Sequence, residues 1–172
     1  MAEVNNIALI LGGTSSGKSA RGMELLLAAP GPRLMVATGR PTDQDFRQRI
    51  LDHKRSRPAD LALCEVGADL LPTLRQATLR HGSILVDSLD FWLFSSLEAG
   101  LAREGTAELC TALEQWSGPE LILVSSETGL GPIAADQETR RFIKALGELN
   151  QKVAALARTV ELVSAGLALR LK

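Results

Sequence analysis

The sequence predicts an α/β fold: a mostly parallel sheet with helices on both faces, closed by a C-terminal antiparallel hairpin. Three observations carry this. Short apolar runs recur at "IALIL" (7–11), "RLMVAT" (33–38), "SILVD" (83–87), "ELILVS" (120–125) and "VELVS" (160–164), each bounded by Gly, Pro or charge. Such runs read as strands buried on both faces. Helix-period segments lie between them, and this alternation is that of parallel crossover units. In the tail "VELVSAGLALRLK" two apolar runs meet at "SAG" with no room for a crossover helix, so the tail reads as a hairpin.

Taken in order, helices are expected near residues 18–28, 43–55, 67–79, 90–102, 106–117 and 138–158, the last being the longest. "APGPR" (29–33) and "LGPIAAD" (130–136) read as loops from their Gly and Pro content. No repeat, low-complexity tract or long linker interrupts the chain, so residues 1–172 are expected to form one domain.

Composition limits the functions open to this domain. The chain is 45% hydrophobic, enough for one sizeable core, and with 3% aromatics and no tyrosine that core must rest on Leu, Val, Ile and Ala. Lys and Arg number 19 against 20 Asp and Glu, a net charge of -1 that gives no global pull toward nucleic acid or an anionic membrane. Any anion site must therefore be local. "MAEVNN" lacks a basic start followed by a long apolar stretch, and no apolar run approaches the roughly 18 residues of a bilayer span. The expectation is a soluble, cytoplasmic protein with neither nucleic acid nor membrane as partner. Cys64 and Cys110 match no metal-ligand spacing and are expected to be reduced, buried thiols.

The strongest chemical signal follows the first strand. "GGTSSGKS", comprising Gly12, Gly13, Thr14, Ser15, Ser16, Gly17, Lys18 and Ser19, fits the phosphate-binding pattern G-x-x-x-x-G-K-[ST] in the strand-loop-helix context the motif demands. Gly12 and Gly17 can adopt backbone angles that turn successive N–H groups toward a β-phosphate, and the next helix adds its positive N-terminal end. Lys18 would reach the β- and γ-phosphates, and Ser19 would ligate Mg2+. Such a loop works with an acid at the end of another strand, and "SILVD" ends in Asp87, which could also cap the helix that follows. Thr38 and Gly39 follow the second strand at the carboxyl edge of the sheet, where open α/β folds bind ligands. Nucleotide binding is the expectation these residues set.

A second signal is "RQRILDHKRSRP" (47–58). Its helix is expected to start near Asp43 behind the N-cap candidate Thr42. Phe46, Ile50 and His53 fall on one face, which suits a partly buried histidine that packs and makes one hydrogen bond. Arg47, Arg49, Lys54, Arg55 and Arg57 suit a triphosphate instead. They would disfavour the imidazolium and keep the imidazole neutral, the form a nucleophile requires.

In order, "GGTSSGKS", "VATGR", "RILDHKRSRP", "VDSLDFWL", "SETGLG", "RRF" and "LNQKVA" resemble the motifs of the adenosylcobinamide kinase / adenosylcobinamide-phosphate guanylyltransferase family of cobalamin synthesis. The resemblance implies an enzyme that phosphorylates adenosylcobinamide with ATP or GTP. It then transfers GMP from GTP, through a guanylylated histidine, to adenosylcobinamide phosphate, giving adenosylcobinamide-GDP. The histidine falls on His53. Nucleotide contacts fall on Gly12 to Ser19, on Ala37, Thr38 and Gly39, on Lys54, Arg55, Ser56 and Arg57, and on Glu65 and Asp87. Mg2+, held by Ser19 and Asp87, a corrinoid substrate and a homotrimer are implied with them. The apolar "FWLF" (91–94) would suit helix packing between subunits or within one. The chain departs from the family pattern at Asp90 (usually Thr), Ser126 (Asn), Ala134 (Pro) and Ala20 (Arg, with Arg21 one place on). These changes are expected to lie away from the phosphate loop and His53, and to bear on the corrinoid contacts and the kinase step. Two other readings keep the loop: a simple small-molecule kinase with a structural His53, and a nucleotide-binding module with little or no turnover.

Overall fold

The computed structural model describes residues 5–38, 61–131 and 134–172. Its strands are β1 (Ile7–Gly12), β2 (Arg33–Ala37), β3 (Leu61–Glu65), β4 (Ser83–Asp87), β5 (Glu120–Ser126), β6 (Thr159–Ser164) and β7 (Leu167–Arg170). They form one sheet in the order β3-β2-β4-β5-β1-β6-β7, parallel throughout except for the antiparallel β6/β7 hairpin. The described helices are α1 (Lys18–Ala28), α2 (Leu70–Ala77), α3 (Leu89–Glu98), α4 (Ala102–Glu114) and α5 (Gln137–Leu156). The helix expected over residues 43–55 lies outside the described residues.

The central strands are apolar on both faces because both faces are covered. Ile7, Leu9, Leu11, Ile84, Val86, Leu121 and Leu123 pack with residues of α2 to α5 in one cluster. Ala8, Ile10, Leu85, Ile122 and Val124 pack with Met23 and Leu26 of α1 in the other. Leu9, Leu26, Leu85, Leu121 and Leu149 are fully buried, and each such side chain stabilises by about 1.5–3 kcal/mol. Gly22 brings α1 close to the sheet: a Cβ there would meet Val124 Cγ2 at 2.8 Å and Leu85 Cδ1 at 3.0 Å. Trp92 and Trp116 are core residues, and their indole N–H groups donate to Ala68 O (3.0 Å) and Pro119 O (2.9 Å).

The strand at residues 61–65, "LALCE", is absent from the sequence expectation. It extends the sheet beyond β2, its burial is broken rather than continuous, and it therefore lacks the apolar run that marks the inner strands. α4 begins at Ala102 instead of near residue 106. Gly105 does not break it, because a Cβ there would touch the Trp92 ring at 3.4 Å and glycine lets the helix seat closely. α3 ends at Glu98 instead of 102, and Gly100 takes φ 71° just beyond it. Cys64 and Cys110 are free thiols but only partly buried, and burial pushes the Cys110 thiol up from its ordinary value. Among the described residues no helix is long and apolar enough to cross a membrane.

Candidate functional site

The carboxyl edge of the sheet collects the candidate residues. Glu65, Ala37 and Asp87 stand in register across β3, β2 and β4, and the phosphate loop leaves β1 two strands away from β4. Residues paired across parallel strands share a face, and Asp87 pairs with Val124, which packs on the α1 side. Asp87 therefore faces α1. Ser19 Oγ donates to Asp87 Oδ1 at 3.1 Å, while α3 starts behind Ser88 with no side-chain cap. Asp87 thus engages the phosphate-loop helix through Ser19.

The loop itself is tightly determined. Ser15 and Gly17 lie in the left-handed region, at φ 57° and 98°, and Gly17 leads directly into α1, whose first turn carries no acid and no side-chain cap. Unclaimed N–H groups at a helix start are a ready anion site. Gly12 has no room for a side chain, since a Cβ would fall 2.7 Å from Val163 O. Lys18 Nζ donates to Gly13 O at 3.1 Å, folding the ammonium back over the loop. Ser16 is buried, its Oγ accepting from Lys18 N–H at 3.3 Å.

Thr38 clamps the end of β4. Its hydroxyl donates to Ser88 O (2.5 Å) and accepts from Ser88 N–H (2.8 Å), and its own N–H donates to Asp87 O (3.1 Å). With Thr38 1% exposed and Ala37 fully buried, this strand end holds Asp87 in place and offers little open side chain. Glu65 is exposed at the end of β3. Gly39, His53, Lys54, Arg55, Ser56 and Arg57 lie outside the described residues.

Three residues that the sequence singles out without showing their partners meet at this edge. Asn150, in α5, is 5% exposed; its Oδ1 accepts from Ser125 Oγ at 2.7 Å and its Nδ2 donates to Ser126 O at 3.0 Å. Asp90 and Ser126, two of the departures, bond each other: Ser126 Oγ donates to Asp90 Oδ2 at 2.8 Å and Ser126 N–H to Asp90 Oδ1 at 3.3 Å. They are not remote from the phosphate loop as expected, since the next residue, Glu127, donates its N–H to Gly12 O at 3.0 Å. Arg21 is committed elsewhere, making a two-pronged bond to Glu161 of β6 (2.8 and 3.0 Å) and a further bond to Glu24. These carboxylates raise the Arg21 pKa, and Arg21 in turn holds Glu161 below the usual carboxylate range.

Among the described residues no group of three or more His, Cys, Asp and Glu side chains could hold a metal by itself. Mg2+ does not need one, because it is commonly held by one or two protein oxygens with waters and substrate phosphates completing its shell. Ser19 Oγ and Asp87 Oδ1, two hard oxygen donors already 3.1 Å apart beside the loop, fit that requirement.

Comparison with solved structures supports the fold. The assembled ATPase EscN of the enteropathogenic E. coli type III secretion system superposes with a TM-score of 0.59 at 12% identity, over 94% of this chain and 43% of that one. This chain thus spans less than half of that ATPase chain, and the likeness is one of phosphate-loop NTPase fold. Similarity in sequence reaches further. The bifunctional adenosylcobalamin biosynthesis protein CobP of Pseudomonas aeruginosa is 36% identical over 168 residues, covering 95% of this chain and 96% of the relative. CobU of Salmonella typhimurium, described in the same words, is 29% identical over 182 aligned positions, covering 95% and 98%. The family model for cobinamide kinase / cobinamide phosphate guanyltransferase matches residues 8–171, and the chain belongs to that family of nucleotide-handling enzymes of cobalamin biosynthesis.

Proposed function

We propose that the protein is a single-domain bifunctional enzyme that phosphorylates adenosylcobinamide with ATP or GTP and then guanylylates the product from GTP through His53. The observation that carries this reading is the phosphate loop with Lys18 folded over it and Ser19 bonded to Asp87 at 3.1 Å. Family membership supports a corrinoid acceptor.

In the kinase step Lys18 would leave Gly13 O for the β- and γ-phosphates, and the α1 N-terminus would hold the β-phosphate. Positioning and charge supply most of the catalysis in such transfers. Bound Mg2+ would neutralise phosphate charge, held by Ser19 and Asp87. In the second step the neutral His53 imidazole attacks the α-phosphorus of GTP; an N–P bond forms, the bond to the bridging oxygen breaks and pyrophosphate leaves. An oxygen of adenosylcobinamide phosphate then attacks the same phosphorus and frees the imidazole. Splitting one displacement into two lets a bulky corrinoid enter after pyrophosphate has gone. Lys54, Arg55, Ser56, Arg57, Gly39 and Glu65 complete the proposed nucleotide contacts, with the backbone at Ala37 and Thr38 as the floor of that edge. The homotrimer belongs to the same reading, and α3 supports it: Phe91, Phe94 and Leu97 are 40%, 48% and 43% exposed along one helix, with Phe142 edge-on to Phe94. An apolar stripe of this kind suits burial against another subunit.

Incubation with Mg2+ and either α-labelled or γ-labelled GTP tests the proposal. Acid-labile, alkali-stable protein label from the α position, lost in His53→Ala, is the expected result. Transfer of γ label to the acceptor without α label on the protein would reduce the enzyme to a simple kinase.

A further inference from the structure

The β6/β7 hairpin has no part in the chemistry above, yet it is built against the phosphate loop. Ala165 and Gly166 take φ 50° and 78°, forming a two-residue turn of the kind that matches strand twist. In such a turn the N–H of the second residue is left out of the ladder and is free to donate elsewhere. Here it donates to Ser16 O at 2.8 Å. Both motif glycines touch the same hairpin: a Cβ on Gly17 would lie 3.2 Å from Gly166 Cα, and one on Gly12 would lie 2.7 Å from Val163 O. Two residues back along β6 from Val163, Glu161 holds Arg21 of α1.

We infer that Gly166 is a positioning residue for the triphosphate: its N–H fixes the Ser16–Gly17 peptide so that the Gly17 N–H points at the bound anion. The C=O and N–H of a trans peptide point in opposite directions. Drawing the Ser16 carbonyl toward the hairpin therefore turns the Gly17 N–H away from it, at the mouth of α1 where the helix end also favours negative charge. Without that anchor the peptide can rotate, because Gly17 itself imposes little restraint. The inference rests on the reading of residues 12–19 as a phosphate cradle and adds what holds the cradle in its binding shape.

The test replaces the Gly166 amide by an ester in the full-length chain, made by ligating the short C-terminal segment with glycolic acid at position 166. This deletes one N–H and leaves every side chain in place. Binding of inorganic tripolyphosphate, which engages the cradle without a base, is measured by calorimetry beside the melting temperature. The expected result is about tenfold weaker tripolyphosphate binding, the size of one lost hydrogen bond expressed as affinity, with melting lowered by only a few degrees. Gly166→Ala keeps the N–H and is expected to hold tripolyphosphate within twofold of the unsubstituted chain, although its positive φ costs stability. Unchanged affinity in the ester chain, or equal loss of affinity in a folded Gly166→Ala chain, would overturn the inference. Failure of the unsubstituted chain to bind tripolyphosphate would overturn the cradle reading itself.

Discussion

Replacing Asn150 by alanine removes a bridge that ties α5 to the end of β5. Ser125 Oγ, fully buried, loses the acceptor it reaches at 2.7 Å, and Ser126 O loses the donor at 3.0 Å. A buried group left without its partner costs about 1–3 kcal/mol. Ser126 is partly exposed and its carbonyl can recruit water, so the expected total is about 3 kcal/mol. In a domain of this size that lowers the melting temperature by about 6–12 °C. The double substitution with Ser125→Ala removes donor and acceptor together, and should cost less than the sum of the two single changes. Urea denaturation of the four chains gives the coupling. A loss below about 0.5 kcal/mol in Asn150→Ala, or strict additivity with Ser125→Ala, would refute the bridge as a stabilising element.

Three further predictions follow from the same geometry. Asp87→Asn keeps an acceptor for Ser19 but removes the charge; it should lower triphosphate-dependent turnover by about 10²–10³-fold, as loss of one preorganised electrostatic group does, while circular-dichroism melting stays within a few degrees. Glu161→Gln removes the ionic component of the Arg21 pair, worth about 1 kcal/mol in a partly exposed setting. Because Arg21 depresses the Glu161 pKa in the fold, this stability is fully present above the unfolded carboxylate range near pH 4.3 and is lost as pH falls through the lower folded value. The gap in denaturation free energy between the two chains should therefore be full at pH 7 and close in acid; a gap independent of pH would contradict the assignment. Ala165→Asn should raise the melting temperature by about 2–4 °C, since asparagine tolerates the positive φ that alanine holds at a cost of about 1 kcal/mol, and scanning calorimetry reads this directly.

The parts of the molecule legible in the sequence are those where one local signal settles the structure. β1, its glycine loop and α1 are contiguous, and the apolar run, the two glycines and the helix period agree. The hairpin was legible because "SAG" leaves no length for any other connection. β3 was not, since "LALCE" has the broken burial of a strand far from the sheet centre and follows a charged segment. Asn150 and Gly166 were invisible for another reason. Their partners, Ser125 and Ser16, are remote in sequence, and nothing local to "LNQ" or "SAG" says which carbonyl or hydroxyl the fold will bring to them. Asp90 and Ser126 show the same limit: read singly they are two unconnected departures, and only the fold, which sets the first turn of α3 beside the end of β5, reveals one hydrogen-bonded pair.

Peptide mass mapping after incubation with GTP and Mg2+ tests the central claim most directly. One GMP is expected on the peptide containing His53, formed with release of pyrophosphate and discharged on addition of adenosylcobinamide phosphate. A chain that stays unmodified while still producing adenosylcobinamide-GDP, or one that carries GMP on another residue, would contradict it.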